Sequence, residues 1–288
     1  MSRLNLGLRA AVVATCCLSA TGPMFTIHAA EPQVAKPMRL AARSRQPTSD
    51  GETVKPLSRE LVWQPSETAI LICDTWDKHW CRSATRRCGE LAERMAPVID
   101  AARARGVHII HSPSDTVDFY RDDAARRRAI EAPAASPPSP IGKSCSLDVA
   151  REHALPIDDS DGGCDCPVPC KNYKAWSREH PAITIKPSDV ISDSGQEVYN
   201  YLIQQGIKNI IYVGVHTNMC VLGRTFGIRQ MTTLGFNTLL VRDLTDTMYN
   251  PRKSPFVEHQ RGTELVVEHI ERYWCPSTTS AALAEGLR

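Results

Sequence analysis

The sequence predicts an α/β protein: a three-layer, doubly wound, mainly parallel sheet with helices on both faces. Two observations carry this. Short continuous apolar runs such as TAILICD (Thr68–Asp74) and NIIYVGV (Asn209–Val215) have the composition of parallel strands buried on both faces. Between them lie stretches with helical spacing, and strands that alternate with helices specify a parallel sheet wound on both sides.

The elements follow in order. The folded domain is expected to start near Glu67, with its first strand ending on the carboxylate of Asp74. Ala84–Arg105 places Leu91, Met95, Val98 and Ala102 on one helical stripe, with Pro97 inside it and Gly106 as a stop signal. VHIIHS (Val107–Ser112) is the next strand. After a long interruption the alternation resumes with AITIK (Ala182–Lys186) as a strand, a helix at Gly195–Gln205 and the strand NIIYVGV. A helix from about Met219, the strand NTLLVRD (Asn237–Asp243) and a helix Glu258–Tyr273 complete it, leaving residues 276–288 as a tail.

The ends and the charge bound the function class. Residues 1–30 read as a secretory signal: Arg3 and Arg9 without an acid, the apolar run Ala10–Ala20 too short to span a bilayer, and small residues at Ala29–Ala30 for cleavage. The expected location is therefore secreted or periplasmic, with no stable membrane insertion once the signal is removed. Residues 31–66, rich in Pro, Ser, Arg and Lys, read as a flexible leader. Losing Arg3 and Arg9 brings the 34 basic residues level with the 32 acidic ones. Arg126–Arg128 sits beside Asp122 and Asp123, so no nucleic-acid footprint is present.

The interruption, residues 113–181, is too long for an ordinary connection and reads as a partly ordered lid, because Tyr173 and Trp176 are costly to leave in water. It carries Cys164, Cys166 and Cys170, spaced C-x-C-x3-C. A structural zinc site needs a fourth ligand that this spacing does not supply, so disulfides or an unmatched cluster are expected there. The acids Asp158, Asp159, Asp161 and Asp165 lack the arrangement of a calcium loop. Without Cys16 and Cys17 the chain keeps nine cysteines, an odd number that leaves at least one thiol free.

Cys220 follows a strand at the start of a helix, where unpaired N–H groups favour a thiolate and can hold an oxyanion. Taken alone it is equally well a buried, inert thiol. Asp74 and Lys186 also end strand-like runs, where ligands of such sheets bind. Together the three could perform acyl transfer: Lys186 lowering the thiol pKa, and Asp74 taking its proton and returning it to a leaving amine.

The chain resembles the isochorismatase-like cysteine hydrolases, a family that includes nicotinamidases and other amidases. The resemblance spans roughly Glu67–Tyr273 and is carried by ILICD (Ile70–Asp74), ITIKPSD (Ile183–Asp189), GVHTNMCV (Gly214–Val221) and LLVRDLTD (Leu239–Asp246). It implies a catalytic triad of Asp74, Lys186 and Cys220, a cis Val215–His216 peptide bond, and an oxyanion held by the backbone N–H groups of His216 and Cys220. It implies a small-molecule substrate and leaves self-association open. The Asp-x-His metal pattern of nicotinamidases is missing, since the matching loop reads HSPSDTVDFY with His111, Asp115 and Asp118. No catalytic metal and no cofactor is therefore expected. Trp76, His79, Trp80, Tyr173, Trp176 and His216 are read as substrate-binding wall. The leading expectation is cleavage of an amide-type C–N bond through a Cys220 thioester. A vinyl-ether hydrolysis that needs no thiol, or a binding domain that keeps the fold, are the alternatives.

Overall fold

Each apolar run needs cover on both faces, and the segments between the runs supply it as helices. The computed structural model describes residues 35–48 and 54–288. Its strands are β1 (Met38–Pro47), β2 (Val54–Trp63), β3 (Thr68–Cys73), β4 (His108–Ser112), β5 (Val190–Ile191), β6 (Asn209–Val215), β7 (Asn237–Asp246) and β8 (Ser277–Thr278). Among the described residues they form one sheet in the order β2-β1-β8-β7-β6-β3-β4-β5. From β8 to β5 every pairing is parallel, while β1 runs antiparallel to both β2 and β8.

Alternation along β3 shows how the layers are built. Ala69, Leu71 and Cys73 point to one face, and Ile70 and Ile72 to the other, all fully buried. Burying each such Leu or Ile contributes about 1.5–3 kcal/mol. On the first face lie α3 (Gly195–Gln204), α4 (Ile228–Thr233) and α5 (His259–Tyr273), through Val198, Leu202, Met231, Val266 and Ile270. On the second lie α1 (Arg82–Ala104), through Leu91, Met95, Val98 and Ala102, and α6 (Ser280–Gly286), through Leu283. The short α2 (Ala124–Ile130) packs beside β5 and α3. The expected doubly wound, three-layer architecture is present. Pro97 lies inside α1 without ending it, and Gly106 ends the following turn at φ 83°.

Three expectations are corrected. Residues 31–66 do not form a flexible leader where they are described: Met38 pairs with Trp63 through to Pro47 with Val54, and Met38, Leu40 and Ala42 are buried against the second face. Residues 276–288 are not a loose tail but β8 and α6, the link between that hairpin and β7. AITIK is not a strand, because the pairing with β4 starts only at Val190 and residues 182–186 follow an irregular path. The export signal read at residues 1–30 lies outside the described residues. Among the described residues no helix is long and apolar enough to cross a membrane.

Gly214, near the end of β6, fixes how close the central strands come. Its φ of 113° is unfavourable for any residue with a side chain, and a Cβ there would stand 2.0 Å from the carbonyl oxygen of Cys73. The Gly214 carbonyl also accepts a hydrogen bond from Thr245 Oγ1 at 2.8 Å. This contact brings the end of β6, and the turn that carries Cys220, against the end of β3.

Candidate functional site

Asp74 follows β3 with φ 45°, a left-handed turn that aspartate tolerates better than most residues. The turn leaves its carboxylate fully buried. One oxygen accepts the backbone N–H of Ser114 at 2.7 Å and the other accepts Arg224 Nε at 3.1 Å. The thiol of Cys220 also bonds to this carboxylate. Burial raises the pKa of Asp74, and Arg224, Cys220 and Ser114 pull against that rise.

Beyond β6 the Val215–His216 peptide bond is cis. Thr217–Val221 then forms a wide π-helical turn, with the Val221 N–H donating to the His216 carbonyl at 3.2 Å. Cys220 sits in that turn, partly exposed, and the backbone N–H of His216 is directed at its sulfur. One turn later the Arg224 N–H donates to the Cys220 carbonyl at 3.0 Å, so the two side chains share a face that meets Asp74.

The cation of this group is Arg224 and not Lys186. Lys186 is exposed, and no contact joins it to Asp74 or Cys220. Its segment is tied elsewhere: Arg103 donates to the Thr184 carbonyl and to Asp189, and Arg128 to the Pro187 carbonyl. The Lys186 expectation fails because it placed a strand at AITIK. The signal for Arg224 was its i+4 spacing from Cys220.

The expected lowering of the thiol pKa is also reversed. Burial pushes the Cys220 thiol up, the neighbouring Asp74 carboxylate adds to the rise, and Arg224 opposes both without overcoming them. The sulfur is thus held toward its thiol form beside the Asp74 carboxylate.

Around this group stands an aromatic wall. Trp76 stacks on Trp176 with centroids 4.4 Å apart, His79 stacks on Trp176 at 5.8 Å, and His79 meets Trp80 at 5.1 Å and His216 at 4.9 Å. Burial lowers the pKa of His79 to about 4 and that of His216 to about 3, so both rings are neutral near pH 7. The Trp76 indole N–H is held by the Ser114 carbonyl at 3.1 Å, whereas Trp176 Nε1 and His216 Nε2 are buried without a partner. Tyr173 is not part of the wall. It is 60% exposed, because the chain before Trp176 runs along the surface.

His111, on β4, is fully buried between two acids, 2.7 Å from Glu179 and 3.1 Å from Asp189. Burial works against its charge, but Glu179 and Asp189 outweigh it and raise the pKa to about 9. It is an ion-paired imidazolium that fixes β4 to the insertion. Asp115 and Asp118 do not converge with it: the Asp115 carboxylate lies 3.8 Å from Arg224, and Asp118 belongs to a separate 3-10 turn.

No family model matches the chain, and no curated protein matches it. Solved structures do. A cysteine hydrolase from Pseudomonas syringae pv. phaseolicola 1448A is 16% identical, covering 85% of this chain and 96% of its own, with a TM-score of 0.48. An isochorismatase family protein from Burkholderia thailandensis is 18% identical over 77% of this chain and 96% of its own, with a TM-score of 0.43. An isochorismatase-like hydrolase from Alkaliphilus metalliredigens is 13% identical over 78% and 98%, with a TM-score of 0.46. The reading of the chemistry rests on this chain's own side chains.

Proposed function

We propose that this protein is a cysteine hydrolase that cleaves an amide-type C–N bond of a small molecule through a thioester on Cys220. The observation that carries the reading is the contact group of Cys220 thiol, Asp74 carboxylate and Arg224 guanidinium, with the His216 N–H directed at the sulfur. Cys220 Sγ attacks the carbonyl carbon as its proton passes to Asp74. The backbone N–H groups of His216 and Cys220 hold the resulting oxyanion. Collapse breaks the C–N bond, and Asp74 returns the proton to the departing nitrogen. Water then adds to the thioester, giving one proton back to the sulfur and releasing the acid.

Arg224 favours the ionised form of Asp74 against the effect of burial and compensates the charge that develops on sulfur. The neutral His79 and His216 rings and the indoles of Trp76, Trp80 and Trp176 form an uncharged pocket side. Trp176 Nε1 and His216 Nε2 supply the free hydrogen-bonding positions for a substrate.

A panel of small amides assayed for ammonia release tests the reading, with Cys220→Ala as control. Turnover of at least one amide by the wild type, reduced about 10³-fold or more in the variant, supports it. Full turnover by Cys220→Ala on every accepted substrate refutes the nucleophile. A vinyl ether in the same panel, cleaved equally by both forms, would favour the thiol-independent hydrolysis. Export belongs to the same reading, and a mature form beginning at Glu31 by N-terminal sequencing is its expected outcome.

A further inference from the structure

Cys81 immediately precedes α1, and Cys164, Cys166 and Cys170 lie in the 113–181 insertion, yet the four thiols meet. Cys166 Sγ is 3.7 Å from Cys81 Sγ and 3.5 Å from Cys170 Sγ. The sulfurs of Cys81, Cys164 and Cys166 all lie within 4.8 Å of one another, and the Cys170 thiol also faces that of Cys164. Ala84, Met248, Trp80 and Met219 pack around them.

Hydrophobic packing alone gives no reason for three sulfurs to lie within 4.8 Å of one another with a fourth 3.5 Å from one of them. Donors surround Cys166 and Cys170, while the Cys81 thiol donates to the Asp165 carboxylate at 3.8 Å. The Ser83 N–H and hydroxyl approach Cys166 Sγ at 3.4 and 3.2 Å, the Arg82 N–H approaches Cys170, and the Ala84 N–H approaches Cys81. These are first-turn N–H groups of α1, which the helix leaves unpaired. Arg252 donates to the Cys166 carbonyl at 3.1 Å, and Arg87 bridges Asp165 and Asp246 beside the cluster.

We propose that Cys81, Cys164, Cys166 and Cys170 bind one divalent metal ion of the zinc class as a closed, tetrahedral, structural site. Zinc–sulfur bonds of about 2.3 Å place the sulfurs of a tetrahedron about 3.8 Å apart, close to the spacings present here. Cys81 is the fourth ligand that the C-x-C-x3-C spacing could not reveal. Each thiol loses its proton to solvent as its sulfur binds, so four protons leave for one ion and no oxidant is needed. Four sulfurs fill the coordination shell, which leaves no position for substrate or water and makes the site structural. Its effect is mechanical. It staples the insertion to the start of α1 beside Trp80 and His79, while Met219 joins the cluster to the turn of Cys220.

The test uses the whole chain, produced with zinc supplied and passed into metal-free buffer under a thiol reductant. Elemental analysis is expected to find about one zinc per chain. Replacement by cobalt(II) should give the intense sulfur-to-cobalt charge-transfer and tetrahedral d–d absorption of a four-thiolate site. Cys166→Ser is expected to weaken metal binding at least about tenfold, while Cys145→Ser, outside the cluster, keeps full occupancy. If Cys166→Ser does not fold, the zinc content and cobalt spectrum of the wild type decide alone. Substoichiometric zinc with no such cobalt spectrum overturns the proposal. So does peptide mapping of the unreduced protein that finds these four cysteines paired as disulfides. None of these readouts depends on hydrolase activity.

Discussion

Arg224 Nε donates to Asp74 Oδ2 at 3.1 Å from one helical turn beyond Cys220, so nucleophile and cation reach the same carboxylate from a single turn of chain. This relationship replaces the one that Lys186 would have made from a separate strand. Arg224→Gln is therefore expected to lower kcat/KM by about 10²-fold or more, since it removes the charge that favours the ionised form of Asp74 in a buried site. Arg224→Lys should recover part of that loss, and Lys186→Met should stay within about twofold of wild type. Steady-state kinetics on any accepted amide decides the matter. A large loss in Lys186→Met with none in Arg224→Gln would restore the separate-strand arrangement.

The raised thiol pKa gives a second expectation, in a direction opposite to ordinary intuition. In the proposed mechanism Asp74 is the base, yet its charge and its hydrogen bond both hold the proton on Cys220. Asp74→Asn removes the base and the repulsion together. Hydrolysis should fall by about 10²–10⁴-fold, while alkylation of Cys220 by iodoacetamide at pH 7 should become faster than in the wild type. Mass spectrometry of the Cys220 peptide over time measures the second effect. Slower alkylation of Asp74→Asn would mean that Asp74 promotes thiolate formation in the resting enzyme.

The parallel core was legible because β3 and β6 are near-continuous apolar runs and β7 carries Leu239–Val241, with helical stripes between them, and that pattern depends on local sequence alone. Asp74, Cys220 and the cis bond before His216 were legible through the motifs that carry them. Arg224 was not, because an arginine at i+4 looks like a solvated helix face until the turn is placed against β3. The hairpin of β1 and β2 was hidden for a related reason: its few inward residues, Met38, Leu40 and Ala42 of β1 and Trp63 of β2, stand amid arginines and prolines that read as a linker. Cys81 is an isolated residue in the sequence, and only the packing of the insertion brings it to Cys166. Tyr173 shows the converse, an aromatic residue taken for pocket wall that the fold leaves in solvent.

The remaining prediction concerns pH and rests on His111. Its folded pKa of about 9 exceeds the unfolded value of 6.5, because Glu179 and Asp189 outweigh the burial cost. A group raised in this way binds its proton more tightly when folded, so its stabilisation is complete below pH 6.5 and is lost as pH rises through about 9. The loss is on the order of 3 kcal/mol for a fully buried ion-paired imidazolium. Asp189, whose pKa its partners hold at about 2 against the cost of burial, stays ionised throughout this window and does not mask the effect. Denaturant unfolding at pH 6.5 and pH 9.5 should show the wild type losing stability over this interval by more than His111→Gln, which has no proton to release. Equal pH dependence in the two proteins would show that His111 is neutral in the folded chain. Its contact with Glu179 would then be a plain hydrogen bond from a neutral ring.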